Sequence, residues 1–192
     1  MKKTISLFLC LCMMFALAAC GGKNAAETSS SGSGYIDKYA KNGEIPELEV
    51  KIGTSVEDFK KIFPADSENA DESKVTLFEQ AGEISVCLAT LDAYYYYEKD
   101  KKDNGISAIA VTTGKVFGLE IGGTTTKSDV TALLAVEHEE SVASYDRQFF
   151  IYQPYDDCKL LTAEFGKYRL DFFFLDDFLI GAVLCDTENW TA

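Results

Sequence analysis

Six cysteines and one histidine are the side chains of this 192-residue chain best suited to covalent or metal chemistry. The thiols stand at Cys10, Cys12, Cys20, Cys87, Cys158 and Cys185, with no C-x-x-C pair to suggest a dithiol or zinc pattern. His138 lies in the acidic run Glu137-His138-Glu139-Glu140. Zinc usually needs several converging His or Cys ligands, so this run reads as a solvated linker after a helix. Asp100, Asp103 and Asn104 depart from EF-hand spacing and lack its closing bidentate glutamate, which makes them a turn. The pairs Asp156-Asp157 and Asp176-Asp177 also read as turns, not as a glycosidase couple. No G-x-S-x-G elbow, Walker loop or G-x-G-x-x-G turn occurs. No catalytic residue, metal ligand or cofactor is therefore assigned, and the chain is expected not to be an enzyme.

Cys20 is the exception among the thiols, because of what precedes it. Lys2-Lys3 open an apolar run from Ile5 to Leu17, broken only by Ser6, and the run closes on Leu17-Ala18-Ala19-Cys20. Basic start, apolar middle and small residues are the three parts of an export signal, and the run falls short of the ~20 residues that a spanning helix needs. The closing motif resembles the lipobox of the bacterial lipoprotein family. That resemblance implies that the Cys20 thiol is acylated, with a palmitate-type chain, and that cleavage leaves it as the first mature residue. The membrane is then a partner through this lipid, and the chain is expected on the extracytoplasmic face of the cell membrane.

The residues after Cys20 agree with an anchor. Gly21 to Gly34 reads GGKNAAETSSSGSG, the composition of a flexible tether with too little apolar surface to fold. The formal charge of −13 becomes −15 once Lys2 and Lys3 leave with the signal. Such a balance excludes nucleic acid as a partner and favours solubility outside the cell. Cys10 and Cys12 leave as well, so Cys87, Cys158 and Cys185 remain, an odd number that cannot form a closed disulfide framework.

The body reads as two copies of one pattern. Ile52-Gly53 and Thr54 to Phe63 match Ile121-Gly122 and, after two extra residues, Thr125 to Leu134. Val75 onward lies over Phe149 onward, Ile84 to Ala89 over Cys158 to Ala163, Tyr95 to Tyr97 over Phe172 to Phe174, and Ile106 to Thr113 over Ile180 to Thr187. Phe59, Ile62 and Phe63, and likewise Val130, Leu133 and Leu134, recur at the spacing of one buried helical stripe. Thr54 or Ser55, and Thr125 or Thr126, are the N-cap candidates. Short β-rich runs broken by turn residues come after each helix. The expectation is an α+β fold of two tandem repeats, each a helical segment packed on a four-stranded antiparallel meander. Residues 1–19 form the signal, 20–44 the tether, 45–113 the first repeat and 114–192 the second.

On those residues the chain resembles the tandem helix-plus-four-strand family of the β-lactamase inhibitory protein, and more distantly the small lipoproteins of outer-membrane assembly. The resemblance rests on Ile52-Gly53…Asp58-Phe59…Ile62-Phe63 and Ile121-Gly122…Asp129-Val130…Leu133-Leu134. It implies a fold but not inhibition of a β-lactamase, since such contacts sit in loops that have no residue-by-residue match here.

Turns at Gly166-Lys167 and Asp176-Asp177 would pair Phe165 with Tyr168 and Leu175 with Phe178. Strict alternation then puts Leu161, Phe172, Phe174, Leu179, Val183 and Cys185 on the helix face, among others. The opposite face receives Leu160, Arg169, Asp171, Phe173, Ala182 and Leu184, with Tyr94 and Tyr96 mapped from the first copy. Tyr94, Tyr96, Arg169 and Phe173 are the candidate binding residues, because an aromatic-bearing sheet face on a tethered protein suits protein recognition. The same register keeps Cys158 from Cys185; each cysteine reads as a buried hydrophobe, with a Cys87–Cys158 bridge the main exception. The function expected is a non-enzymatic, inhibitor-like or other protein-binding lipoprotein with an envelope or secreted protein as partner. The alternative is a binder or sensor of a small ligand or cell-wall fragment.

Overall fold

The computed structural model describes residues 33–65, 73–142 and 158–190, all in one compact unit. Cys20, the first part of the expected tether and the aligned run Phe149 to Pro154 lie outside the described residues.

Among the described residues three short α-helices pack on the sheet, each opening a different stretch of chain. Helix α1 (Tyr35–Ala40) falls inside the stretch expected to be tether, and it buries Ile36 and Ala40 completely. The folded body thus begins before residue 45, because one apolar pair at i, i+4 suffices to dock a single helical turn. Helix α2 (Val56–Ile62) starts at Ser55, whose side chain accepts from the Asp58 backbone N–H at 3.0 Å. Helix α3 (Lys127–Thr131) starts at Thr126 in a full capping box with Asp129. It is shorter than its apolar stripe, so Leu133 and Leu134 pack from the turn beyond it.

The strands are β1 (Phe78–Ala81), β2 (Ser85–Ala89), β3 (Tyr94–Glu98), β4 (Ala108–Val111), β5 (Lys115–Val116), β6 (Leu119–Glu120), β7 (His138–Val142), β8 (Lys159–Phe165), β9 (Tyr168–Leu175) and β10 (Phe178–Asp186). Strands β5 and β6 make a small hairpin whose Phe117-Gly118 turn has both residues at positive φ, with the Glu47 carboxylate accepting both of their N–H groups. The other eight strands form one antiparallel sheet in the order β1-β2-β3-β4-β10-β9-β8-β7. The runs that the sequence divides between two sheets are continuous, because β4 pairs with β10 from Ala108↔Cys185 to Val111↔Ala182. The architecture is α+β, with a large antiparallel sheet and few helices.

Two further expectations are corrected. The run Glu137 to Glu140 is not a linker: His138–Val142 is edge strand β7, in register with Lys159 to Ala163 of β8. Its side chains are all exposed, so no apolar alternation marked it. The expected turns do pair Phe165 with Tyr168 and Leu175 with Phe178. Past Leu179, however, β10 carries a bulge, and Gly181 rather than Ile180 meets Phe173. One extra residue reverses every side chain after it. Ala182 and Leu184 therefore join the helix-side core, while Val183 and Cys185 face the other way.

The helix-side core holds Phe59, Tyr95, Ile109, Phe172, Phe174 and Val130 among its members. A second, smaller cluster on the opposite face gathers Cys87, Tyr96, Ala108, Cys158, Phe173, Cys185 and Trp190. All three described cysteines are buried thiols outside any disulfide, including the Cys87 and Cys158 pair. Gly105, at φ 72°, backs onto the Thr54 carbonyl so closely that a Cβ would collide with it. That approach lets Ile106 N–H donate to Thr54 O at 2.8 Å and ties the start of α2 to the sheet.

Candidate functional site

The face opposite the helices can be laid out row by row from the strand register. One row runs Gln80, Cys87, Tyr96, Ala108, Cys185, Arg169, Glu164; the next runs Phe78, Ala89, Tyr94, Ala110, Val183, Asp171, Thr162, Glu139. Apolar residues fill the middle, and polar ones gather toward β8 and β7.

Of the four candidate binding residues, Tyr96 and Phe173 are buried, 0% and 4% exposed. The open aromatic surface expected there is closed. Trp190 closes over this face with its ring 5.4 Å from that of Tyr96, in the same buried cluster as Cys87. Burial pushes the Cys87 thiol up to about 11, outweighing the opposing influence of the neighbouring Tyr96 hydroxyl, so the group is a poor nucleophile. Burial raises Cys158 as well.

Arg169 is engaged within the sheet. Its Nε donates to Asp171 Oδ2 at 3.1 Å, and Thr162 Oγ1 donates to Asp171 Oδ1 at 2.6 Å. Asp171 is fully buried, so Arg169 serves first to balance a carboxylate that would otherwise be costly to bury. Tyr94, like Arg169, is partly exposed, and it has Phe78 as a ring neighbour at 6.5 Å.

The clasp that carries Trp190 is built on Asp186. This buried carboxylate accepts from Lys167 Nζ at 2.8 Å, Asn189 Nδ2 at 3.0 Å and the Glu188 backbone N–H at 3.0 Å. Burial alone would raise its pKa, but these donors outweigh burial and hold it below the ordinary 3.8. Asn104 donates to Asn189 Oδ1 at 2.7 Å, which fastens the clasp to the 3-10 turn Lys99–Asn104.

Two hollows among the described residues are part-open and lined mainly by polar side chains. One hollow of about 390 Å³ is lined by Val136, Glu137, His138, Glu139, Thr162 and Glu164; another of about 410 Å³ lies beside Tyr39, Glu44, Leu48 and Lys51. Neither contains Tyr94, Tyr96, Arg169 or Phe173. Among the described residues no three His, Cys, Asp or Glu side chains are grouped to hold a metal ion, and no helix is long and apolar enough to cross a membrane.

Sequence reasoning missed the apolar corner at the other side of Tyr94. Leu77, Phe78 and Leu91 are 52%, 41% and 55% exposed, and β1, on which Phe78 sits, is exposed at all four residues. The signal was present: Leu91 stands in a turn, where a large apolar side chain has no core to enter.

No family model matches the chain, and no curated protein does. Among solved structures the chain is similar to a DUF4309 family protein (YjgB) from Bacillus subtilis subsp. subtilis strain 168, at 18% identity, covering 81% of this chain and 98% of that one, with a TM-score of 0.48. At that identity no residue role is carried over from the likeness.

Proposed function

We propose that this protein is a lipoprotein, anchored through Cys20 to the extracytoplasmic face of the cell membrane, that works without catalysis by binding an envelope or secreted protein. The anchor rests on Leu17-Ala18-Ala19-Cys20 and on the Gly/Ser-rich stretch after it. The observation that carries the binding half is the exposed Phe78 ring beside half-exposed Tyr94, with Leu77 and Leu91 also exposed at this end of the sheet, since large apolar side chains gathered at a surface often mark an interface.

The finer architecture belongs to the same proposal: a tandem repeat of the β-lactamase inhibitory protein type. Supporting it, α2 precedes β1 to β4 and α3 precedes β7 to β10, and in each case the helix opens on a Ser or Thr N-cap. Capture of partners from the native envelope with the full chain, read by mass spectrometry, tests the function. One reproducible protein supports it, and an empty capture by folded protein counts against it. For the anchor, Cys20→Ser should release the protein from the membrane fraction.

A further inference from the structure

The two edges of the eight-stranded sheet are built differently. An exposed strand edge offers unpaired backbone N–H and C=O groups, and proteins usually blunt it with charge, proline or a bulge. Strand β7 conforms to that practice: His138-Glu139-Glu140-Ser141-Val142 sets two adjacent carboxylates along the edge. Strand β1 does not. Phe78-Glu79-Gln80-Ala81 has one charged residue, and Glu79 is already paired with Lys60 at 2.8 Å. Among the described residues no strand lies beyond β1. Its open edge begins at the apolar corner formed by Leu77, Phe78 and Leu91.

We infer that the β1 edge is a docking site for an extended segment of a cationic partner protein. The segment adds as a further antiparallel or parallel strand and lays apolar side chains on Leu77, Phe78 and Leu91. This rests on the protein-binding reading above and names the mode and chemistry of the contact. Strand addition draws affinity from the backbone and selectivity from pockets for alternate side chains, which matches an open edge with apolar residues at one end. Charge fixes the sign of the partner. The mature chain carries −15, and the exposed acids flanking the edge, Glu83 in the β1–β2 turn and Asp92 beside Leu91, make no ion pair among the described residues. Of the nearby cations, Lys60 is paired with Glu79, while Lys99, whose Nζ donates to the Gly82 carbonyl at 2.5 Å, keeps its charge and offsets one of the two flanking acids. A second copy of the chain would meet the same negative charge across the edge, which disfavours self-pairing.

The test uses the full lipidated chain in non-ionic detergent and a short fluorescent peptide of alternating lysine and valine, capped at both ends. A second peptide has the same side chains, with alternate backbone amides N-methylated. Wild-type protein should bind the first peptide, less tightly as salt rises, and should not bind the second. Phe78→Lys and Leu91→Lys, both at exposed sites, should each weaken binding about tenfold, equivalent to roughly 1.4 kcal/mol. Emission from Trp190, the only tryptophan of the chain, confirms that each variant is folded. Absence of binding to wild type, equal binding of the N-methylated peptide, or unchanged affinity in both variants overturns the proposal. The protein-binding reading fails separately: it falls if wild type captures nothing from the envelope, and it survives if Phe78→Lys captures the same partner as wild type.

Discussion

Tyr94, Tyr96 and Phe173 sit on one sheet face yet belong to different environments, and substitution should separate them. Tyr96→Ser and Phe173→Ser each empty a buried site and are expected to cost about 3 kcal/mol or more in urea unfolding. Tyr94→Ser removes a half-exposed ring and should cost less than half as much. Cys87 offers a second residue-level test. In the unfolded chain its thiol ionises at the ordinary 9.0, whereas in the folded chain it resists until about 11. Between those values the unfolded state binds fewer protons, so stability falls as pH rises from 9 to 11. Comparing the pH dependence of unfolding for wild type and Cys87→Ala isolates this slope, which should be shallower in the variant. In native protein at neutral pH, Cys87 should resist alkylation until denaturant is added.

At the scale of elements, the C-terminal clasp gives the clearest expectation. Asp186 has a folded pKa below its ordinary 3.8, so its contribution is fully present above that value and is lost as pH falls through the lower, folded one. Asp186→Ala leaves Lys167 and Asn189 without their acceptor and should cost about 2 kcal/mol. The readout is direct: Trp190 emission should shift to longer wavelength as its ring leaves Tyr96. The turns that set strand register were legible in the sequence, since Gly166-Lys167 and Asp176-Asp177 interrupt otherwise continuous β-rich runs. The bulge was not. Leu179-Ile180-Gly181-Ala182-Val183-Leu184 is apolar or small at every position, so sliding it by one residue changes no hydrophobic count. Strand β7 was hidden for the opposite reason, because an edge with every side chain in water has no buried partner to impose alternation. The same two blind spots account for the candidate site. Tyr96 and Phe173 were placed on the correct face, but the return of Trp190 over that face is a long-range contact with no local signature.

For the whole molecule, the decisive feature is the β4–β10 seam. It buries Ala108, Ile109, Ala110, Val111, Ala182, Val183, Leu184 and Cys185 where the two runs of four strands meet. If each run were an independent unit, residues 33–113 would fold alone. The seam predicts otherwise: that fragment should lack a cooperative unfolding transition, and the full chain should unfold in a single step in circular dichroism and Trp190 emission alike.

The seam also has an order in time. Strand β10 lies at the centre of the sheet, yet among the described strands it comes last in chain order. Until it arrives, β4 is a raw edge and β9 has no inner neighbour, so the two wings of the sheet cannot join before β10 has been synthesised. A premature stop that removes β10 would thus cost more than its nine residues suggest, because the loss is of the hinge-line on which both wings of the sheet depend.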